Sequence, residues 1–162
     1  MRSPPPHVAV VGAGEAGPED LAVAEDVGRE LARRGAVVVC GGLGGVMEAV
    51  CRGARQAGGR TIGILPGDDR SHANPHVEVA IATGLGEARN LLVVRTADVV
   101  VAVGGEFGTL SEIAFALRLG TPVIGIGTWE LSRRGRPVDA IHRVGTAAEA
   151  ADQAILRSTT SE

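Results

Sequence analysis

The chain has 162 residues, 44% of them hydrophobic, with 16 basic and 19 acidic side chains and a formal net charge of −3. That length and balance suit one soluble globular domain over residues 1–162 and exclude a strongly basic surface for nucleic acid or anionic membrane. Every basic residue is Arg and Tyr is absent, which removes Schiff-base chemistry, a Walker-type phosphate loop and an aromatic platform for single strands.

The first expected strand covers residues 7–11 and runs into Gly12-x-Gly14-x-x-Gly17. An amphipathic helix follows, with Leu21, Ala24, Val27 and Leu31 on one face and Gly35 at its end. A second strand over 37–40 leads into Gly41, Gly42, Gly44 and Gly45, then a helix on Val46, Val50 and Ala54 that ends at Gly58. Cys40 and Cys51 have no Cys or His at ligand spacing and read as buried small apolar residues, so no metal site is expected. A third strand covers 61–65. The polar stretch 66–75 is long enough to act as a lid, with His72 and nearby His76 as solvated loop residues. Arg89 lies near the start of a short helix, followed by a strand over 98–103 and a third glycine turn at Gly104, Gly105 and Gly108. The next helix carries Leu110, Ile113, Ala114 and Leu117 and stops at Gly120, before a strand over 122–126, a second long loop over 129–137 and a C-terminal helix. Residues 1–6 and 158–162 are expected to fray. No apolar run approaches the roughly 18 residues that span a bilayer, and the Met1-Arg2-Ser3-Pro4-Pro5-Pro6 start has no secretory pattern, so the expected location is cytoplasmic.

Strands that are almost continuous in Val, Ile and Ala are buried on both faces, and their alternation with helices implies parallel βαβ units. The expected class is therefore α/β: a single-domain, three-layer fold with a parallel sheet flanked by helices. In such a sheet the three glycine turns share the carboxyl edge of the strands, where exposed backbone amides and helix N-termini hold a phosphate without Lys. The Gly12-x-Gly14-x-x-Gly17 pattern is not completed as a dinucleotide fingerprint, because Cys40-Gly41-Gly42 stand where a ribose-binding acid belongs. Two charged residues belong to that edge, Arg89 and Glu112. On spacing alone Thr109-x-x-Glu112 reads as a capping box, as does Thr146-x-x-Glu149, and Arg89 alone reads as a solvated helix residue.

Longer motifs change that balance. Cys40-Gly41-Gly42-Leu43-Gly44-Gly45-Val46-Met47-Glu48 is similar to GGGxxGLMG, and Gly63-Ile64-Leu65-Pro66 to GVIP. Arg89-Asn90, Asp98 and the run from Val103 to Glu112 are similar to a D…PGGxGTxxE pattern. Together, over about residues 7–130, these segments resemble the Rossmann-like family of the cytokinin-activating Lonely guy proteins, long mislabelled as lysine decarboxylases. Its relatives include the molybdenum-cofactor carrier proteins. The resemblance implies a homodimer that binds an AMP-like nucleotide or a molybdopterin-type ligand, with no required cofactor. In the hydrolase members, residues at the positions of Arg89 and Glu112 cleave the bond between base and ribose 5′-phosphate. The glycine turns and the resemblance together nominate Gly12, Gly14, Gly42, Gly45, Met47, Asn90, Gly104, Gly105, Gly108 and Thr109 as ligand or phosphate contacts. The apolar run Leu91, Leu92, Val93 and Val94 is a second reason to expect a dimer. Lysine decarboxylation is excluded separately, for want of a Lys. Several positions depart from the hydrolases: Glu106 replaces a turn glycine, Gly104 a Pro, Asn90 a Lys, and Glu87-Ala88 a His-Glu pair. Two functions follow, a nucleoside 5′-monophosphate phosphoribohydrolase and a non-catalytic carrier or sensor; a purely structural domain is the third class.

Overall fold

The computed structural model describes residues 4–159. Seven strands form one parallel sheet: β1 (His7–Gly12), β2 (Val37–Cys40), β3 (Arg60–Leu65), β4 (Val79–Ala82), β5 (Val99–Val103), β6 (Val123–Ile126) and β9 (His142–Arg143). Their order is β4-β3-β2-β1-β5-β6-β9, and β7 (Ser132–Arg133) pairs separately with β8 (Arg136–Pro137). Five helices cover the sheet: α1 (Pro18–Arg33), α2 (Val46–Gln56), α3 (Arg89–Arg95), α4 (Phe107–Leu119) and α5 (Ala147–Ser158).

The three layers follow from strand periodicity. Val8 and Val10 of β1 pack with Val27, Leu31, Val50 and Ala151 in one core, while Ala9 and Val11 pack with Val93 and Ile113 in the other. Thus α1, α2 and α5 cover one face and α3 and α4 the other, as an α/β three-layer reading requires. Gly35, Gly58 and Gly120 follow the helices they were expected to close, each with φ between 76° and 79°.

Strands β4 and β9 were not expected, nor was the β7–β8 pair inside the 129–137 loop. β4 alternates exposed with half-buried residues at the sheet edge, and β9 is two residues long, so neither carries the doubly buried Val run of the central strands. The fraying expectation falls outside the described residues for 1–3 and 160–162 and needs correction nearer the fold. The Pro6 carbonyl accepts a hydrogen bond from the Val37 amide, and Ser158 is the last residue of α5. The 66–75 stretch is anchored near its end by Asn74. Asn74 donates from its amide to the Gly42 carbonyl at 2.9 Å and from Nδ2 to the Leu43 carbonyl at 2.9 Å.

Helices α1 and α2 approach so closely that glycine is needed on both. A Cβ on Gly53 would lie 1.9 Å from the Glu25 carbonyl oxygen, and one on Gly28 would lie 2.0 Å from that of Val50. Backbone cannot yield as a side-chain tip can, so the helices must separate. Gly53→Ala is expected to cost about 2 kcal/mol and lower Tm by about 6 °C, read by thermal unfolding; an unchanged Tm would refute this close approach.

Candidate functional site

From β1 the chain winds outward through β2, β3 and β4, then returns to place β5, β6 and β9 on the other side of β1. The carboxyl ends of β1 and β5 therefore flank the switch in strand order, where an open parallel sheet leaves a crevice. A pocket of about 270 Å³ lies there. It is lined by the end of β1, the Gly41 turn, the start of α3 and the first turns of α4.

Arg89 opens α3 and is 8% exposed. It can be buried because residue 41 is glycine: a Cβ there would lie 2.7 Å from Arg89 Nη2 and 2.7 Å from Met47 Sδ. Its Nη1 donates to Asn90 Oδ1 and its Nη2 to the Gly41 carbonyl at 3.4 Å, while Nε has no partner. Asn90 Nδ2 donates in turn to Ser111 Oγ at 3.4 Å, and Ser111 Oγ to the Gly108 carbonyl at 2.6 Å. This chain of bonds ties the guanidinium across the pocket to α4.

Helix α4 brings Thr109 and Glu112 to the same wall, at 2% and 7% exposure. Thr109 Oγ1, like Arg89 Nε, is buried without a hydrogen-bond partner. Burial pushes the Glu112 carboxyl up to about 7, against the opposing pull of Arg89. Burial also draws the Arg89 guanidinium below its ordinary value, and the Glu112 charge resists this. For Glu112 desolvation outweighs Coulomb attraction, consistent with a guanidinium whose hydrogen bonds go to Asn90 and Gly41 instead.

The capping-box reading of Thr109-x-x-Glu112 is overturned. Helix α4 starts three residues earlier than that box requires, with Glu106 as its N-cap and no side-chain cap bond, so Thr109 and Glu112 both lie inside the helix. Thr146 does cap α5, accepting from the Glu149 amide at 3.2 Å, and Glu149 reaches back to the Gly145 amide at 2.9 Å. Two identical spacings thus serve different ends, because only one coincides with a helix start. The uncapped first turn of α4 leaves its amides free to meet an anion.

Of the nominated residues, Gly12, Gly14, Met47, Arg89, Asn90, Gly108, Thr109 and Glu112 line this pocket. Gly104 and Gly105 line an adjoining cleft instead. Gly42 and Gly45 line neither: they shape the turn with φ of 77° and 63°, and a Cβ on Gly45 would meet the Ala13 carbonyl at 2.2 Å. The lining residues Val10, Val11, Ala13, Gly41, Leu43, Pro66, Glu87 and Glu106 were not nominated, the uncharged ones because they carry no chemical signal and the two acids because they stood out only as departures from the hydrolase pattern. Asp98 lies away from the site and accepts the His7 amide at 2.8 Å, holding the start of β1.

Cys40 and Cys51 are fully buried, as expected, with sulfurs 3.5 Å apart; the hydrogen bond between them and burial push the Cys51 thiol up. Among the described residues no group of three or more His, Cys, Asp or Glu is placed to hold a metal, and no helix is long and apolar enough to cross a membrane. Val93 and Val94, half of the run behind the dimer expectation, are spent in the chain's own core.

A family model described as the SLOG cluster4 family matches residues 5–157. The molybdenum cofactor binding protein of the phototrophic bacterium Rippkaea orientalis is similar in structure, with a TM-score of 0.85 and 34% identity, covering 99% of this chain and 100% of that one. The molybdenum cofactor carrier protein of Chlamydomonas reinhardtii is similar at a TM-score of 0.82 and 31% identity, covering 96% and 99% respectively. A protein of Archaeoglobus fulgidus is 43% identical over 120 residues, 74% of this chain and 79% of that one.

Proposed function

The chain belongs to the SLOG cluster4 family, and on that premise we propose that it binds a phosphorylated small molecule, a nucleoside 5′-monophosphate or a molybdopterin-type cofactor. The anionic group sits between Arg89 and the start of α4. The observation that carries this reading is the pair of buried atoms without partners, Arg89 Nε and Thr109 Oγ1, on two residues that line one pocket. A buried unsatisfied polar group costs about 1–3 kcal/mol, and an oxyanion accepting from both removes that cost. The first-turn amides of α4 and its dipole add to the attraction. The names of the two structural relatives favour a molybdopterin-type ligand.

A phosphoribohydrolase is the second reading, and Glu112 is what favours it. A carboxyl held at about 7 exchanges protons near neutral pH. As a carboxylate it stabilises the positive charge that grows on ribose when the base departs, while Arg89 holds substrate oxygens. A homodimer in the cytoplasm completes the proposal, and sedimentation mass across concentrations tests the dimer.

Calorimetric titration with AMP and with adenosine tests the anion site. AMP is expected to bind at least tenfold more tightly than adenosine; equal affinities, or no binding of AMP or a molybdopterin-type ligand, would sink the reading. Chromatography of the AMP incubation then separates the two functions. Release of adenine that is lost in Glu112→Gln identifies a hydrolase, and no release leaves a carrier.

A further inference from the structure

A second compartment of about 440 Å³ adjoins the pocket, and Ala13 and Glu106 line both. Both compartments are lined by carboxylates, Glu87, Glu106 and Glu112 in the first and Glu15, Asp20 and Glu106 in the second, but only the first has an Arg. The Trp129 Nε1 hydrogen is donated to the Glu106 carbonyl at 3.2 Å, and the Thr128 hydroxyl to the Gly104 carbonyl at 2.5 Å. The side-chain hydrogen-bonding capacity left on its lining is therefore acceptor-only, on the carboxylates of Glu15, Asp20 and Glu106, and no Arg lines it.

Asp20 is the most firmly seated of the three. It is half-buried in the first turn of α1, where the helix dipole favours its charge. Its Oδ2 occupies space that only glycine leaves: a Cβ on Gly104 would lie 2.2 Å away, and Gly104 has φ of 53°. Trp129, its one donor spent, offers a ring face, and it is braced by Phe107 at 5.6 Å between centroids. Phe107 is itself 76% exposed, an uncommon state for so large an apolar ring.

We propose that this compartment receives the heterocycle of the ligand and that Asp20 reads a 2-amino-oxo edge of the guanine type, a specificity that rests on the anion-site reading above. The three carboxylates beside Gly104 and Gly105 have no Arg to offset them, whereas the neighbouring pocket has Arg89, so the phosphate belongs there with Arg89 Nε and Thr109 Oγ1, both of them buried and unpartnered. A ligand that spans both compartments has an anionic end and a planar, donor-bearing end. Guanine presents N1–H and the 2-amino group side by side, matching the two oxygens of one carboxylate, whereas adenine has no such pair of donors.

Calorimetric titration of the whole protein with GMP, IMP and AMP tests this, because IMP differs from GMP only in lacking the 2-amino group. GMP is expected to bind at least tenfold more tightly than either of the others. Asp20→Asn is expected to weaken GMP about tenfold and to leave AMP within twofold. Equal affinities in the unmodified protein, or GMP affinity indifferent to Asp20→Asn, overturn the base assignment while the anion site stands. Failure of all three to bind overturns the anion site for nucleotides and this assignment with it.

Discussion

Replacing Arg89 by alanine is expected to weaken binding of AMP by 100-fold or more while the chain stays folded. The guanidinium is buried, and its Nε has no protein partner. An oxyanion accepting from it gains a charge-assisted hydrogen bond in a desolvated setting, and losing one partner of such a pair costs about 2–5 kcal/mol. The middle of that range, about 3.5 kcal/mol, already exceeds 100-fold in Kd. Stability should fall by about 1–3 kcal/mol, because Asn90 Oδ1 and the Gly41 carbonyl lose their donor while relief of the guanidinium's desolvation offsets only part of that loss. Arg89→Lys keeps the charge without the planar fork and should fall between the two. Calorimetry with a parallel melting curve checks this; AMP affinity within threefold of the unmodified protein would place the anion elsewhere.

The second large effect concerns pH. Glu112 has an ordinary value of 4.5 and is pushed up to about 7 by burial. Below about 4.5 its carboxyl is neutral in both folded and unfolded chains and burial costs nothing through charge. Between 4.5 and 7 the unfolded chain releases the proton and the folded chain keeps it, so stability falls as pH rises. Above about 7 both are ionised and the penalty is complete, about 3 kcal/mol at 1.4 kcal/mol per unit of pH. Glu112→Gln carries no such charge. Its stability relative to the unmodified protein should therefore grow by about 3 kcal/mol between pH 4.5 and pH 8, measured by denaturant unfolding across that range. A difference that stays flat with pH would show that Glu112 is solvated and ionised in the fold. Retention of so costly a group, where a Gln would be more stable at neutral pH, is what a proton-exchanging or ligand-reading role predicts.

Much of this molecule is written locally. Val37–Cys40 and Val99–Val103 declare doubly buried strands because every residue in them is apolar and β-branched or small. Gly35, Gly58 and Gly120 announce helix ends because positive φ is cheap only for glycine. The glycine turns and the pairing of Arg89 with Glu112 pointed to the carboxyl edge of the sheet, and eight of the nominated residues line one pocket there. Local pattern was misleading at Thr109-x-x-Glu112, where spacing matches a cap but the helix begins earlier, at Phe107. Nothing in the sequence around Asp20 distinguishes it from an ordinary first-turn acid, since its meaning comes from Gly104, distant in sequence.

The sequence by itself determined the layers, most of the strands, the helix ends and the absence of Lys chemistry, because each depends on the properties of residues within one or two turns of each other. Tertiary structure alone decided where β1 and β5 meet at the switch in strand order, which glycines line the pocket and which face a neighbouring helix, and how far Arg89, Thr109 and Glu112 are buried. Those outcomes depend on distances between segments far apart in the chain. Burial, which left two polar atoms of pocket-lining residues unpartnered and raised one carboxyl to about 7, is a property of the packed whole rather than of any residue in it.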